Sequence, residues 1–203
     1  MPFEYIEWNK QMLDDYLKDK FKRRGVASVE YEFLTKHIRE IKPEVIVDIG
    51  CFFGDSTYIL GTSSPNLKSL YAIENIESEN FCPYHIDGIE VPKEDYGKFH
   101  QPGVVFKKNG YENDLLPILK EHPGAFVFLD AVKLTERVLH ELTICHEGNA
   151  EYVALHDTSK FYKNPRRAMK RAIQLGWFEL IDETNVDSPT KVKVKGVSLL
   201  RKI

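Results

Sequence analysis

The stretch PEVIVDIGCFFGDSTYIL, residues 43–60, begins with a short apolar run that ends beside an acidic residue and continues into a turn with two glycines. The run VIVDI is rich in β-branched residues, which is typical of a buried strand, and a helical pattern follows from Ser56 to Gly61. Gly50 and Gly54 have no side chains, so backbone amides and the N-terminus of the next helix can approach a ligand closely. We therefore expect a ligand at this turn.

Apolar runs of the same kind recur along the chain and alternate with helical patterns. The predicted strands cover residues 45–49, 69–73, 103–107, 125–130, 152–157, 177–183 and 196–203, the last two pairing antiparallel. The predicted helices cover residues 14–24, 28–41 with Ser28 as N-cap, 56–61, 113–120, 134–145 and 166–176. This order predicts an α/β fold: a Rossmann-like, mostly parallel seven-stranded sheet with helices on both faces and an antiparallel last strand.

Composition limits the classes of function. The 203 residues suit a single domain (1–203), with N-terminal helices in 1–42, a ligand-binding core in 43–160 and a C-terminal helix and two strands in 161–203. A net charge of −3 gives no electrostatic basis for binding nucleic acid or an anionic membrane. No apolar run is long enough to span a membrane, the N-terminus lacks signal-peptide character, and the three cysteines are far apart. We expect a cytoplasmic protein with reduced thiols.

The turn spacing narrows the choice of ligand. A dinucleotide fingerprint requires G-x-G-x-x-G, and Phe52 stands where the second glycine belongs, so the pyrophosphate could not approach the backbone. Glu74 follows the second predicted strand, where a carboxylate can accept both ribose hydroxyl protons. The pattern favours a nucleoside ligand without a pyrophosphate.

Five segments in order, over about residues 28–160, resemble known motifs. VDIGCFFGDS and YAIEN resemble the first two motifs of class I S-adenosylmethionine-dependent methyltransferases. NGYENDLLPIL (109–119), FLDAVKLTERVLHEL (128–142) and VALHDTS (153–159) resemble later segments of the catechol and caffeoyl-CoA O-methyltransferase group. The resemblance implies a methyltransferase fold with S-adenosylmethionine as cofactor.

The resemblance also implies roles in cofactor binding. The methionine pocket would be shaped by the first-strand acid and the turn, and Asp130 would border the cofactor from the fourth strand. Ser56 would hold the cofactor carboxylate and Asn113 would lie near adenine; a plain helix N-cap is the alternative for both. The implied cofactor-binding residues are Asp48, Gly50, Cys51, Phe52, Gly54, Ser56, Glu74, Asn113 and Asp130.

The resemblance implies a reaction in which a divalent metal ion lowers the pKa of a substrate hydroxyl and a lysine takes its proton. Asp130 and Lys133 match the D-x-x-K motif, and we expect the lysine pKa to be depressed by burial or by the nearby cation. Asp130, His156 and Asp157 are the candidate ligands for Mg²⁺ or Mn²⁺. The group has an acid and an amide where this chain has His156 and Asp157, so a softer metal, or His156 as general base, stays open.

These observations predict an enzyme that transfers methyl from S-adenosylmethionine to a hydroxyl of a small-molecule acceptor, with or without a metal. Alternatives are a metal-independent methyltransferase acting on a sugar, carboxylate or amine, and a non-catalytic cofactor-binding homologue. The irregular segment 77–103 is either a substrate-facing lid, with Tyr84, His85 and Tyr96 as candidate contacts, or a surface insertion. The aromatic N-terminal segment 3–16 either covers the active site or joins a homodimer.

Overall fold

The computed structural model describes residues 4–18, 26–77, 85–86, 89–97, 100–108, 110–131, 133–184 and 194–203. Within them the helices are α1 (Lys10–Lys18), α2 (Ser28–Ile41), α3 (Asp55–Ser63), α4 (Tyr111–Glu121), α5 (Thr135–Glu147) and α6 (Lys163–Gln174). The strands are β1 (Val45–Ile49), β2 (Ser69–Ile73), β3 (His85–Ile86), β4 (Ile89–Glu90), β5 (Val104–Lys107), β6 (Phe126–Leu129), β7 (Tyr152–His156), β8 (Phe178–Glu183) and β9 (Val197–Lys202).

Seven of these strands form one sheet in the order β5-β2-β1-β6-β7-β9-β8. The first five are parallel, and β9 pairs antiparallel with both β7 and β8. Strand order reverses between β1 and β6, so the crevice at the carboxyl ends of these two strands is the expected ligand site. The predicted fold class is confirmed, including the antiparallel end.

Both faces of the sheet are covered, which explains why the central strands are continuously apolar. Helices α4, α5 and α6 pack one face through residues such as Leu115, Leu142 and Met169. Helices α1, α2 and α3 pack the other through residues such as Leu13, Leu34 and Ile59. Helix α6 is rich in lysine and arginine and amphipathic, with Ala168 and Met169 buried. None of the described helices has both the length and the apolar character needed to cross a bilayer.

The N-terminal boundaries of several helices differ from prediction. Ser28 is the first residue of α2 rather than its cap; the N-cap is Ala27, whose N–H donates to the Glu30 carboxylate at 2.6 Å. Helix α4 begins at Tyr111 after Gly110, so Asn113 lies inside the first turn and is not a cap. In the region predicted as helix 14–24, the helix runs from Lys10 to Lys18, and residues 19–25 lie outside the described part.

The segment 77–103 contains the short β3–β4 hairpin and one 3₁₀ turn at Lys93–Asp95. Tyr96 is buried and packs edge-on against Phe52 with ring centroids 5.3 Å apart, in a cluster with Phe53, Ile76 and Val91. This part of the segment covers the glycine turn. Tyr84 and the His85 side chain lie outside the described residues.

Two aromatic residues near the N-terminus, Trp8 and Tyr16, pack against the protein, whereas Tyr5 is exposed. Trp8 is buried, and its indole N–H donates to the Thr62 hydroxyl at 2.9 Å. Tyr16 stacks on Tyr58 of α3 at 5.5 Å, and its hydroxyl donates to Asp55 at 3.3 Å. The segment therefore braces the helix that follows the glycine turn.

Candidate active site

The candidate residues converge because parallel strands end at the same edge. Ile49, Leu129 and Leu155 are successive register partners in β1, β6 and β7. The next residues along the chain are Gly50, Asp130 and His156, which places the turn glycine, the fourth-strand acid and the histidine side by side. The residues that the sequence predicts for the chemistry thus meet at the topological switch point.

Gly50 makes room for the protein's own backbone. A Cβ placed on it would lie 2.5 Å from the Asp130 carbonyl oxygen and 2.9 Å from the Ala131 Cα, and its φ of 81° disfavours any side chain. The Asp130 N–H donates to the Ile49 carbonyl at 2.8 Å, which draws the two strand exits together. The glycine therefore fixes the position of Asp130 over the turn.

Gly54, the N-cap of α3, has a φ of 102° and lies against the His100 imidazole. The Nε2 of His100 is 3.4 Å from the Thr57 hydroxyl, and Nδ1 is buried without a hydrogen-bond partner. Burial lowers the pKa of His100 to about 4, so the ring is neutral at pH 7. The His100 ring therefore packs against the glycine turn at Gly54. The sequence did not predict this contact, because His100 belongs to no recognised motif.

Asp48 is fully buried at the end of β1 and forms the floor of the turn. Its Oδ2 accepts hydrogen bonds from Ser56 at 2.7 Å and Thr57 at 2.6 Å, whereas its Oδ1 has no partner. Burial raises the pKa of Asp48 to about 7, against the opposing effect of the two hydroxyl bonds. This buried oxygen, which lacks a hydrogen-bond partner, is suited to a cationic group.

Glu74 follows β2 on the other side of the turn. The Phe52 N–H donates to its Oε1 at 2.5 Å, which is favoured by a φ of 49° at Phe52. Burial raises the pKa of Glu74 to about 7. Asn75, which sequence reasoning missed, has a buried Oδ1 without a hydrogen-bond partner beside Gly110.

Two other predicted cofactor residues are Cys51 and Asn113. Cys51 is a buried free thiol, and burial raises its pKa well above the ordinary value, so it is not a reactive nucleophile. Asn113 is exposed in the first turn of α4. Their predicted roles in cofactor binding stay predictions.

The acidic and basic candidates form one ionic cluster. Lys133 Nζ lies 2.5 Å from Asp130 Oδ1 and 2.8 Å from Asp157 Oδ2. His156 Nδ1 lies 2.7 Å from the same Asp130 oxygen. Asp157 has a φ of 57°, and its Oδ1 is buried without a hydrogen-bond partner. Lys133 is the most open member, with 38% of its side chain exposed, and His156 is fully buried behind Asp130.

Glu30 of α2 is a fifth member that sequence reasoning missed. It is 0% exposed, and its Oε2 lies 3.4 Å from His156 Nε2. The residue stands 126 positions away from His156 in the chain, and its sequence context is that of a helix-capping acid. Only the packing of α2 beside β9 brings it to the cluster.

Charge pairing sets the protonation of the cluster. The carboxylates of Asp130 and Asp157 raise the pKa of Lys133 despite its partial burial, so the protein's own groups do not produce the predicted depression of the lysine pKa. Asp130 and Glu30 raise the pKa of His156 to about 9, again against burial. His156 and Lys133 in turn hold the pKa of Asp130 well below its usual range. Both cations are therefore charged at neutral pH in this arrangement.

Three side chains of the cluster could serve as ligands for the divalent ion that the resemblance implies. Asp130, His156 and Asp157 each offer one ligand atom, and these atoms lie within 4.8 Å of one another. Asp157 Oδ1 is a further buried oxygen without a hydrogen-bond partner, with Lys195 Nζ 4.0 Å away. Two carboxylates and an imidazole suit Mn²⁺ better than Mg²⁺. The residues fit such an ion once His156 releases the proton on its ligating nitrogen, because a charged imidazolium cannot bind a metal. The ion would also compete with the Lys133 ammonium for the two carboxylates.

Comparison with solved structures extends over nearly the whole chain. A protein assigned as a caffeoyl-CoA O-methyltransferase of Staphylococcus aureus is 14% identical with a TM-score of 0.64, covering 97% of this chain and 93% of that one. The O-methyltransferase TomG of Streptomyces achromogenes, in complex with S-adenosylmethionine, is 16% identical with a TM-score of 0.58 and covers 98% and 91%.

A third similar structure is the methyltransferase PaMTH1 of Podospora anserina bound to S-adenosylhomocysteine, at 14% identity and a TM-score of 0.57, covering 96% of this chain and 87% of that one. No family model matches the sequence, and no curated protein matches it. On this likeness the chain has the fold of the S-adenosylmethionine-dependent O-methyltransferases.

Proposed function

We propose that this protein transfers the methyl group of S-adenosylmethionine to a hydroxyl of a small-molecule acceptor. The observation that carries the proposal is the meeting of two sites at one sheet edge. Asp48 and Glu74 border a turn suited to a nucleoside with a cationic group, and Asp130 joins that turn to the ionic cluster. The fold is shared with methyltransferases that hold this cofactor or its demethylated product.

The cofactor side supplies two carboxylates. Glu74 would accept the ribose hydroxyl protons, and the open Oδ1 of Asp48 would face the positive charge of the methionine part. In the reaction the acceptor oxygen forms a bond to the methyl carbon as the sulfur–carbon bond breaks. The sulfonium becomes a neutral thioether, and the hydroxyl proton must be removed.

The acceptor side supplies Lys133 as the reachable group. Its Nζ holds a proton between Asp130 and Asp157, so it would first donate a hydrogen bond that orients the acceptor oxygen. Asp130, His156 and Asp157 would hold a divalent ion, which when bound lowers the pKa of a substrate hydroxyl. To accept the hydroxyl proton at Nζ, Lys133 would first have to release its own proton to solvent. That release would be favoured when Asp130 and Asp157 are shared with the divalent ion, because the two carboxylates would then stabilise the ammonium less.

A metal-independent transferase is the second candidate, and one observation favours it. The Lys133 ammonium already bridges the two carboxylates that a metal would need. His156 is fully buried with both ring nitrogens facing carboxylates, so it would act through Asp130 rather than on the acceptor. In this form Lys133 would stay protonated as the cation beside the acceptor oxygen, and the hydroxyl proton would pass to solvent.

Calorimetric titration with S-adenosylhomocysteine, with and without Mn²⁺ or Mg²⁺, tests the proposal. We expect the wild type to bind S-adenosylhomocysteine and Glu74→Ala not to bind it. We expect a heat of metal binding that is lost in Asp130→Ala but kept in Glu74→Ala. Transfer from labelled S-adenosylmethionine to a panel of hydroxyl acceptors, with and without a chelator, then separates the two forms. Absence of cofactor binding in the wild type would overturn both.

A further inference from the structure

We propose that Glu30 is a positioning residue of the acceptor site, which holds the His156 ring so that its Nδ1 faces Asp130. The inference rests on the proposed function, since it assigns the machinery that orients the carboxylate beside the acceptor. Glu30 does not touch the acceptor itself, because its side chain is fully buried behind His156.

Glu30 is held on two sides by backbone donors. Its Oε2 accepts the Ala27 N–H at 2.6 Å and its Oε1 accepts the Gly196 N–H at 2.6 Å. These bonds fix the carboxylate at the N-terminus of α2 and leave Oε2 directed at His156 Nε2, 3.4 Å away. A buried acid with two backbone donors is a rigid acceptor for a third.

His156 is therefore held at both ends of its ring. Nε2 faces Glu30 and Nδ1 faces Asp130, and an ionised carboxylate can only accept a hydrogen bond. Without Glu30 the ring would keep one anchor, and a fully buried nitrogen would lose its partner. The ring could then turn, and the direction of Asp130 toward Lys133 would no longer be set by a fixed donor.

Glu30 also stabilises the loop that contains Asp157, through hydrogen bonds that pass by way of Gly196. Gly196, which donates to Glu30, accepts the Thr158 N–H at 3.1 Å through its carbonyl, and Ser159 donates to the Lys195 carbonyl at 2.9 Å. A Cβ on Gly196 would lie 2.8 Å from the Ser159 nitrogen, so the two segments touch. One carboxylate thus joins α2, the end of β7 and the start of β9.

The competing explanation is that Glu30 only caps α2. Glu30→Gln separates the two, because glutamine also serves in a capping box but cannot offer a charged acceptor to Nε2. The matched control is Glu141→Gln, which removes a carboxyl group that is 3% exposed on α5, away from the cluster. Thermal unfolding of both variants checks that they are folded.

The first measurement is the ring N–H proton signal of His156, assigned by its absence in His156→Gln. We expect an exchange-protected, downfield Nε2–H signal in the wild type and in Glu141→Gln, and its upfield movement or loss in Glu30→Gln. A wild type without this signal, or an unchanged signal in Glu30→Gln, would overturn the proposal. This measurement needs no turnover, so it decides the role of Glu30 even if the proposed reaction fails.

The second measurement is the rate of methyl transfer from S-adenosylmethionine by the wild type and the variants, each with and without added metal. In Glu30→Gln we expect kcat to fall by about 10- to 100-fold, as for other residues that orient a functional group through hydrogen bonds. The KM for the cofactor and the affinity for S-adenosylhomocysteine should stay within about twofold. An equal loss of cofactor affinity, or an unchanged kcat, would mean a purely structural role.

Discussion

The two halves of the crevice handle buried acids in opposite ways. At the proposed cofactor end, Asp48 and Glu74 accept hydrogen bonds from hydroxyl and amide donors, and burial raises the pKa of each to about 7. At the proposed acceptor end, Lys133 and His156 compensate Asp130 and hold its pKa well below the usual range. In the described part of the chain, no lysine, arginine or histidine forms an ion pair with Asp48 or Glu74.

The difference in charge compensation indicates what kind of ligand each half of the crevice would bind. Asp48 and Glu74 form no ion pair with a basic residue of the described part, so they favour a ligand that brings positive charge, as a sulfonium and an ammonium would. A cluster whose three carboxylates are compensated by Lys133 and His156, with Lys195 Nζ 4.0 Å from Asp157, can accept a neutral acceptor without a large change in charge. Gly50 keeps the halves together, because the backbone of Asp130 crosses directly over it.

Replacing Asp130 by asparagine should have the largest effect, because it leaves Lys133 and His156 facing a neutral amide. We expect turnover to fall by about 10²- to 10⁴-fold, because Lys133, the proposed proton acceptor, would lose the carboxylate that positions it, and a positioned acid–base group contributes about that factor. Single-turnover transfer measures it. The control is Asp182→Asn, since Asp182 also pairs with a histidine, His37, at 3.0 Å but on the surface. Equal turnover in the two variants would contradict the assignment.

Replacing Gly50 by alanine should break the contact between the halves. The new methyl group would lie 2.5 Å from the Asp130 carbonyl in a backbone with positive φ, and we expect a loss of about 3 kcal/mol or more in the free energy of unfolding. Gly176→Ala is the control, because its φ is 75° with nothing within 4 Å of the new atom. There we expect about 1 kcal/mol from backbone strain alone. Denaturant unfolding compares the two, and a similar loss in both would mean that the contact does not matter.

Glu74→Gln should weaken cofactor binding without affecting the acceptor cluster. Loss of a charged acceptor for the ribose hydroxyls should lower the affinity for S-adenosylhomocysteine by about 10- to 100-fold, given about 1.5–3 kcal/mol for such hydrogen bonds. Calorimetry measures the affinity. Glu179→Gln is the control, because it changes an exposed acid paired with Arg201 on the far strand. An affinity reduced in both variants would indicate a general effect of charge.

The pH dependence of cofactor binding should be the smallest effect. The pKa of Glu74 is about 7 before binding, so the acid is increasingly protonated below pH 7 and poorer at accepting both hydroxyl protons. The affinity for S-adenosylhomocysteine should thus fall by about three- to tenfold from pH 8 to pH 6, with net release of protons on binding. Titration in two buffers of different ionisation enthalpy counts the protons. Proton uptake on binding would contradict the prediction.

The order of strands and helices followed from local pattern, because apolar periodicity and turn residues act over a few neighbours. Residues 28–41, 45–49 and 69–73 were predicted with the bounds that the structure shows. Helix starts were less accurate, because sequence rules prefer a polar N-cap. Here Ala27, Gly54 and Gly110 take that position instead, and the Glu30 side chain supplies the acceptor for the Ala27 N–H.

The sequence by itself determined which groups stand at the ends of the parallel strands, since a strand exit is a local feature and motif spacing reports it. Asp48, Glu74, Asp130 and the His156–Asp157 pair were all identifiable in this way. Only the tertiary structure decided how these groups are paired. Glu30 reaches His156 across 126 residues, and what approaches Gly50 is the backbone of Asp130. Protonation depends on burial and on partners distant in the chain, so the charge state of the site is a property of packing.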